Sequence, residues 1–501
     1  VDQKQIINYR QFSWLTASLL SGGGVVSIQQ VLIRINSADA WMSYTIPTLY
    51  VAALSYVFSQ MVRRFPGKNI FEITKILFGG LIGTIVNLIL LVHLWLILIR
   101  DLSSFSKFIG ITLLPNTPEE IVVMLFVCLL LYYGKTSVEV LARVNDVMFP
   151  LFVVMILVLP LMLVNESDHH SLLPVMTGSV KNFLSGNMIS IGWYGDVFVM
   201  GAFLHTIWES KQVQASIRHG VILATMMIGI FLVMDVLVLG PNMPSNFLYP
   251  SYSLVQQIHI TDFLDRMDLI ILSVWFPVTA CEVILIHLAF ITGIASLVKQ
   301  RDYSSINTPV VLLLLLTTLL SFNSTTEVFS FGHFSSPVIV LCYQPLLFLL
   351  IWLFSLRHPV IEGRRPQSDA AKQQAGQGQH DQTQQQEGQD RRLSERSGAA
   401  EGGNPQQNEE SGGNRPGGNR TAPNQGNPAR PKFPSFTFLA WKRCSNILLL
   451  MIIVSICAGM WLSKKYAAVG LTCALLYGCC LLLAVWTSSM EMYMSKQHRK
   501  W

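Results

Sequence analysis

Apolar runs of about 20 residues, the length that crosses a bilayer, recur along this 501-residue chain and constrain its fold more than any other feature. They lie near 11–33, 41–60, 80–99, 120–133, 147–165, 187–206, 220–240, 269–297, 309–322 and 337–356, with two more near 446–463 and 466–486. The composition agrees: 51% of residues are hydrophobic, 13% are charged, and the mean hydropathy is +0.46. The chain reads as an all-α polytopic membrane protein. Its net charge of +6 is no argument for nucleic acid, because the basic residues sit mainly in loops and tails. The eight cysteines fall mostly in or beside apolar spans without CxxC or metal spacing, and read as buried small hydrophobes. No cleavable signal peptide is expected, since the first apolar run is a full span without a small-residue cleavage site.

Within the first span stands Leu20-Ser21-Gly22-Gly23-Gly24-Val25. Three consecutive glycines weaken a helix where lipid offers the backbone no water. The sequence therefore predicts an interruption at mid-depth, tolerated only where it is buried in protein or lines a cavity. A second interruption is expected at Gly192-Trp193-Tyr194-Gly195-Asp196, deep in the sixth span. Broken spans one and six divide the first ten into five plus five. Five is odd, so the second unit enters the membrane inverted, with a ligand site between the repeats near the midplane. With the N-terminus cytoplasmic, twelve Lys and Arg before residue 308 fall inside, against five outside (Arg34, Arg100, Lys107, Lys181 and Arg266).

Polar groups at membrane depth are the candidates for function. The amides of Ser21, Gly22, Gly23 and Gly24 are expected to face a ligand carboxylate, helped by the positive end of the following half-helix. Trp193 and Tyr194, flanked by Gly192 and Gly195, are expected to wall the pocket, with Asp196 meeting an amine or cation. His93, Ile97, Arg100 and Ser104 share one helical face, and a neutral His93 can donate to or accept from a ligand. Glu282, in Thr279-Ala280-Cys281-Glu282-Val283, reads as a cation or proton relay, or as the partner of a buried base. Asp235, nearer a span end, reads as structural. His169-His170 lacks further metal ligands. No P-loop, HExxH or GxSxG is present, so nothing points to an enzyme, a cofactor or a metal.

From about Pro359 to Ser435 Gln, Gly, Asn, Arg, Pro and Glu dominate. Such a segment cannot bury enough apolar surface to offset chain entropy. Three regions result: a ten-span domain over 1–356, a disordered cytoplasmic linker over 357–435, and a two-span hairpin over 436–501.

The ordered motifs carry a resemblance. The glycine-rich break followed by Asp39-Ala40-Trp41, then Phe65-Pro66-Gly67-Lys68 with Phe71-Glu72, then Arg100-Asp101 with Leu113-Leu114 and Thr117-Pro118 come first. Leu172-Leu173-Pro174-Val175, Tyr249-Pro250-Ser251-Tyr252-Ser253-Leu254, and Asp265-Arg266-Met267-Asp268 leading to Trp275 follow. Residues 1 to about 356 resemble the B-subunit family of endospore germination receptors, permease-like members of the amino acid–polyamine–organocation superfamily. The resemblance implies a LeuT-type fold and a nutrient pocket formed by spans one, three, six and eight. It also implies assembly with A and C subunits in the spore inner membrane, where binding triggers ion release. Carried onto this sequence, the pocket falls on Ser21 to Gly24, His93, Ile97, Cys281 and Glu282. Gln29-Gln30 departs from the proline and basic residue common in relatives, Asp196 and Asp265 replace more usual glutamates, and His93 takes an aromatic place. The final hairpin exceeds the ten-span length and is similar to the small two-span D subunit of such receptors, fused through the linker.

Two working readings follow. One is a sensor that binds a small nutrient, an amino acid being favoured because exposed amides suit a carboxylate. The other is a proton- or sodium-coupled amino acid permease with Asp196 or Glu282 as coupling residue. A scaffold with an empty inherited pocket is a third.

Overall fold

The computed structural model describes residues 7–258, 267–298, 304–361 and 437–497. The described residues fall in one compact unit. Beyond residue 361 the expected linker lies outside the described residues, as do Asp265 and Arg266. The described secondary structure is helical throughout. Among the described residues, eight helices are long and apolar enough to cross a membrane. Leu81, Leu161, Leu320 and Trp461 stay exposed on the outside, a surface made for acyl chains rather than water. This is a multi-pass membrane protein.

The first span consists of α1 (Tyr9–Ser27) and α2 (Gln29–Asn36). The interruption falls at Ile28, not at Ser21–Gly24, and the three glycines remain helical. Close neighbours account for this. A Cβ on Gly22 would stand 3.2 Å from the Thr279 Cα, and one on Gly24 would stand 3.2 Å from the Ile228 Cδ1. Approach this tight needs small residues and supplies packing that outweighs their poor helix propensity. The chain turns where the last carbonyls of α1 find side-chain donors. Ser251 Oγ donates to the Val25 carbonyl at 2.8 Å, and His333 Nε2 donates to the Ser27 carbonyl at 2.8 Å.

A 3-10 segment (Ser37–Tyr44) leads into α3 (Thr45–Arg64). Then α4 (Ile70–Thr112) runs far beyond the expected 80–99. It opens on a capping box in which the Glu72 amide donates to Asn69 Oδ1 at 2.9 Å. It bends at Gly79, whose φ of +81° suits glycine. Arg100 and Lys107, counted above as outer-loop residues, are therefore buried inside a helix. Next come α5 (Glu119–Tyr133), α6 (Val138–Met162) and α7 (Val180–Tyr194). At Gly195 the sixth span changes from α7 to a 3-10 helix (Gly195–Thr206), within the interruption the sequence predicts. After α8 (Ser210–Leu239) and short α9 (Pro250–Val255) come α10 (Met267–Val298) and α11 (Ser304–Ser321). The tenth span is α12 (Thr325–Ser330), a π turn (Phe331–Ser335) and α13 (Ser336–Ser355).

The hairpin, α14 (Phe438–Leu462) and α15 (Ala467–Gln497), packs on α8. Arg218, buried in α8, pairs with buried Glu491 of α15 and donates to Asn446 Oδ1 of α14 at 2.7 Å. His219 Nδ1 lies 3.0 Å from Ser488 Oγ, and the rings of Trp41 and Tyr477 meet at 4.7 Å.

Candidate functional site

The site is built where α1, α4, α7 and α10 converge. On α10, Trp275 and Glu282 are seven residues apart and so project from one face. The Trp275 indole donates to the Gly22 carbonyl at 2.8 Å. The Gly23 amide donates to Glu282 Oε2 at 2.7 Å. A Cβ at Gly23 would stand 3.1 Å from Trp193 Cζ3, 3.3 Å from Glu282 Oε1 and 3.3 Å from Phe105 Cζ. One glycine thus touches a side chain from each of the other three helices.

Beside it, Arg100 is almost wholly buried, at 1% exposure. Its Nε donates to Asp101 Oδ1 at 2.8 Å, its Nη2 to Asp196 Oδ2 at 2.8 Å and its Nη1 to Ser336 Oγ at 3.3 Å. The guanidinium carbon lies 4.1 Å over the Trp193 ring. Glu282 is within electrostatic reach of Asp101, Arg100 and Asp196. Two buried carboxyl groups, Asp101 and Asp196, therefore share one guanidinium, with the Glu282 carboxyl a third nearby. Asp101 Oδ2, Asp196 Oδ1, Trp193 Nε1 and the Thr279 hydroxyl have no hydrogen-bond partner among the described residues.

Of the residues singled out from the sequence, Gly22, Gly23, Trp193, Asp196 and Glu282 come together here. Others are held elsewhere. Ser21 Oγ turns back to the Ala17 carbonyl at 2.8 Å, and Gly24 faces Ile228. Gly192 and Gly195 press against α13, where a Cβ would stand 2.7 Å from Pro337 Cδ and 2.6 Å from Val340 Cγ1. The Tyr194 hydroxyl pairs with Thr225 Oγ1 at 2.9 Å, and its ring stacks on Tyr44. Cys281, buried beside Glu282 in sequence, points about 100° round the helix from it. His93 has its own partners: Nδ1 is 2.6 Å from the Tyr343 hydroxyl, and the ring stacks on Phe198 at 5.1 Å. Ile97, one turn on, is buried on the same face.

Two of these groups already have partners within the chain. The amide expected to receive a ligand carboxylate, that of Gly23, is taken by Glu282 of the chain itself. Asp196, expected to meet an amine or cation, meets the Arg100 guanidinium. Sequence reasoning placed Arg100 on the His93 face but missed it as the centre of the cluster. The available signal was an Arg-Asp pair seven residues past His93, at the end of a long apolar run.

A family model described as spore germination protein (Spore_permease) matches residues 6–328. The Bacillus subtilis (strain 168) protein YfkT, assigned to spore germination, is 26% identical over 325 residues, covering 64% of this chain and 89% of its own length. Spore germination protein B2 of the same organism is 21% identical over 273 residues, 54% of this chain and 73% of that protein. Spore germination protein KB is 21% identical over 275 residues, with 54% and 74% covered. Among solved structures, the closed, bromovinylhydantoin-bound form of MHP1, a nucleobase-cation-symport-1 family transporter, aligns with a TM-score of 0.50. That match has 11% identity and covers 68% of this chain and 79% of that one. It shows the fold alone: the LeuT type, with interrupted spans one and six.

Proposed function

The chain belongs to the spore germination protein family, and on that premise we propose that it is the nutrient-sensing, permease-like subunit of a spore germination receptor. In this reading it lies in the spore inner membrane with both termini cytoplasmic. It works with A and C subunits, and a small molecule bound between the broken helices triggers ion release.

The observation that carries the reading is the grip of Glu282 and Trp275 on the Gly22–Gly23 peptide. It joins the first and eighth spans at the point where Trp193 of the sixth and Phe105 of the third also arrive. A ligand that enters here competes with a bond inside the protein, so binding changes how α1 is held. Sensing needs such a differential contact. The buried carboxyls outnumber the guanidinium, so an arriving group with positive charge is favoured over a bare carboxylate. An amino acid suits this through its ammonium group.

The same charge excess supports a second reading, a proton- or sodium-coupled amino acid permease with Glu282 or Asp196 as coupling residue. Disrupting the gene and measuring two outputs in one strain separates them: germination against single nutrients, and uptake of those nutrients by growing cells. Germination lost for one nutrient class with uptake intact supports the sensor. Uptake reduced with germination intact makes the chain a working permease and sinks the sensor.

The hairpin is proposed to act as a fused counterpart of a two-span D subunit, supported by its buried polar contacts with α8. A chain lacking 436–501 that assembles and responds normally would count against it.

A further inference from the structure

Asp235, on α8, is fully buried and forms no ion pair among the described residues. A lone ionised carboxylate is strongly disfavoured in such a place. Counting hydrogens decides its state. Ser251 Oγ lies 2.8 Å from the Val25 carbonyl oxygen and 3.2 Å from Asp235 Oδ2. A serine hydroxyl has one hydrogen, and a carbonyl oxygen only accepts. The shorter contact claims that hydrogen for Val25, and Asp235 then bonds to Ser251 only by supplying its own. The other oxygen, Asp235 Oδ1, has no partner among the described residues. A small cavity of about 20 Å³, lined by Val25, Phe231, Ser251 and Trp275 among others, lies beside the Ser251–Val25 contact.

We propose that Asp235 is a proton-binding site and that its proton secures the end of α1. In the protonated state Asp235 Oδ2–H donates to Ser251 Oγ, and the Ser251 hydrogen goes to the Val25 carbonyl. On release the proton passes to water, and the Ser251 hydroxyl turns from Val25 to the carboxylate. The Val25 carbonyl, among the last four of α1 and so without a helical partner, is then left bare beside the interruption at Ile28. Asp235 thereby links protonation on α8 to the hold on the first broken span.

Among titratable or charged groups on elements packed around α8, the buried Tyr249 hydroxyl has no hydrogen-bond partner among the described residues, His169 and His170 stand on a 3-10 turn (His169–Leu172), and several others are committed elsewhere. Tyr44 donates to Gln29 at 3.1 Å, and Tyr252 donates to Asp268 at 3.1 Å. Asp39 accepts from the Met176 and Gly178 amides, and Arg34 donates to the Ser245 carbonyl. Arg218, paired with Glu491, is about 25 Å away along α8 at 1.5 Å per residue.

The test reads the proton rather than germination, so it stands whether the chain is a sensor or a permease. Infrared difference spectra of the purified full chain in bilayers are recorded while pH is raised, for wild type, Asp235→Asn and Ser251→Ala. A protonated-carboxyl band should fade with rising pH in wild type and be missing in Asp235→Asn. In Ser251→Ala the band should persist at a shifted frequency. Hydrogen exchange at residues 25–29, corrected for intrinsic chemistry, should speed up about five- to tenfold in wild type as pH rises, the worth of one hydrogen bond. Asp235→Asn, which keeps a donor toward Ser251, should stay protected. Identical spectra for wild type and Asp235→Asn at every pH would overturn the proposal. If Asp235→Asn fails to accumulate, an unshifted band in Ser251→Ala overturns it alone. A band removed by sodium and not by pH would assign the site to an alkali cation and reject the proton.

Discussion

The carboxylate of Glu282 accepts the Gly23 amide at 2.7 Å, while Trp275, two turns earlier on the same helix, donates to the Gly22 carbonyl at 2.8 Å. One peptide unit of the first span is thus held at both ends by the eighth. Glutamine at 282 keeps an oxygen for the Gly23 amide and removes the charge. Glu282→Gln should therefore accumulate and melt within about 1 kcal/mol of wild type but lose ligand response or ion coupling. A fully responsive Glu282→Gln protein would reduce Glu282 to a structural clamp.

The two glycines in that unit should respond differently to a methyl group. At Gly22 the new Cβ meets the Glu282 carboxylate and, at 3.2 Å, the Thr279 backbone, which cannot turn aside. At Gly23 it meets the edges of side chains between 3.1 and 3.3 Å. Gly22→Ala should cost about 1–3 kcal/mol as overpacking, and Gly23→Ala less. Thermal melts of the two variants in one detergent check the order. Gly23→Leu reaches too far into Trp193 and should lower protein level together with response; normal level with full response would show that the contact yields without cost.

Arg100 is the only guanidinium bonded to this carboxylate cluster among the described residues. Removing it strands Asp101 and Asp196, and breaking a buried pair from one side costs about 3–5 kcal/mol. Arg100→Ala should fail to accumulate. Arg100→Met combined with Asp101→Asn and Asp196→Asn removes both stranded charges and keeps apolar volume, so it should recover protein level without recovering response. Equal levels for Arg100→Met alone and for the triple variant would show that the three groups are not coupled. Lysine is no substitute, because it cannot make three directed bonds while lying flat on Trp193.

The all-helical membrane class and the LeuT-type fold with interrupted spans one and six were legible because lipid imposes length and backbone satisfaction on sequence directly. The position of the first interruption was not. Propensity points to Gly22–Gly24, but the chain breaks at Ile28, where Ser251 and His333 from distant segments cap carbonyls. Glu282 and Asp196 stood out as charges at depth, yet their partners are 259 and 96 residues away. No local pattern announces a contact of that range. Gly192 and Gly195 look alike on paper to Gly22 and Gly23, and only the approach of Pro337 and Val340 tells them apart.

His93 rests on Tyr343 at 2.6 Å with Gln344 as a weaker second contact at 3.4 Å. Tyr343→Phe deletes the hydroxyl and leaves most of the aromatic packing. Loss of this buried bond should cost about 1–3 kcal/mol. If His93 is ligand-facing as the family resemblance implies, ligand preference should shift as well. Melting and a single-nutrient panel on the same preparation separate the effects: lower stability with unchanged preference confines His93 to the scaffold.

The final hairpin offers the sharpest structural test. Arg218 and Glu491 are both buried, they face each other between α8 and α15, and Arg218 also reaches Asn446 on α14. A buried pair stripped of one member loses about 3–5 kcal/mol, more than the neighbouring His219–Ser488 and Lys442–Gln214 contacts can replace. Expressed as separate chains, residues 1–361 and 437–501 should co-purify from detergent, and Arg218→Ala should release the smaller piece. Arg218→Glu paired with Glu491→Arg should restore part of the binding, because charge complementarity returns while the Asn446 bond does not. Co-purification unaffected by Arg218→Ala would mean that apolar packing alone holds the hairpin and that the ion pair does not direct its docking.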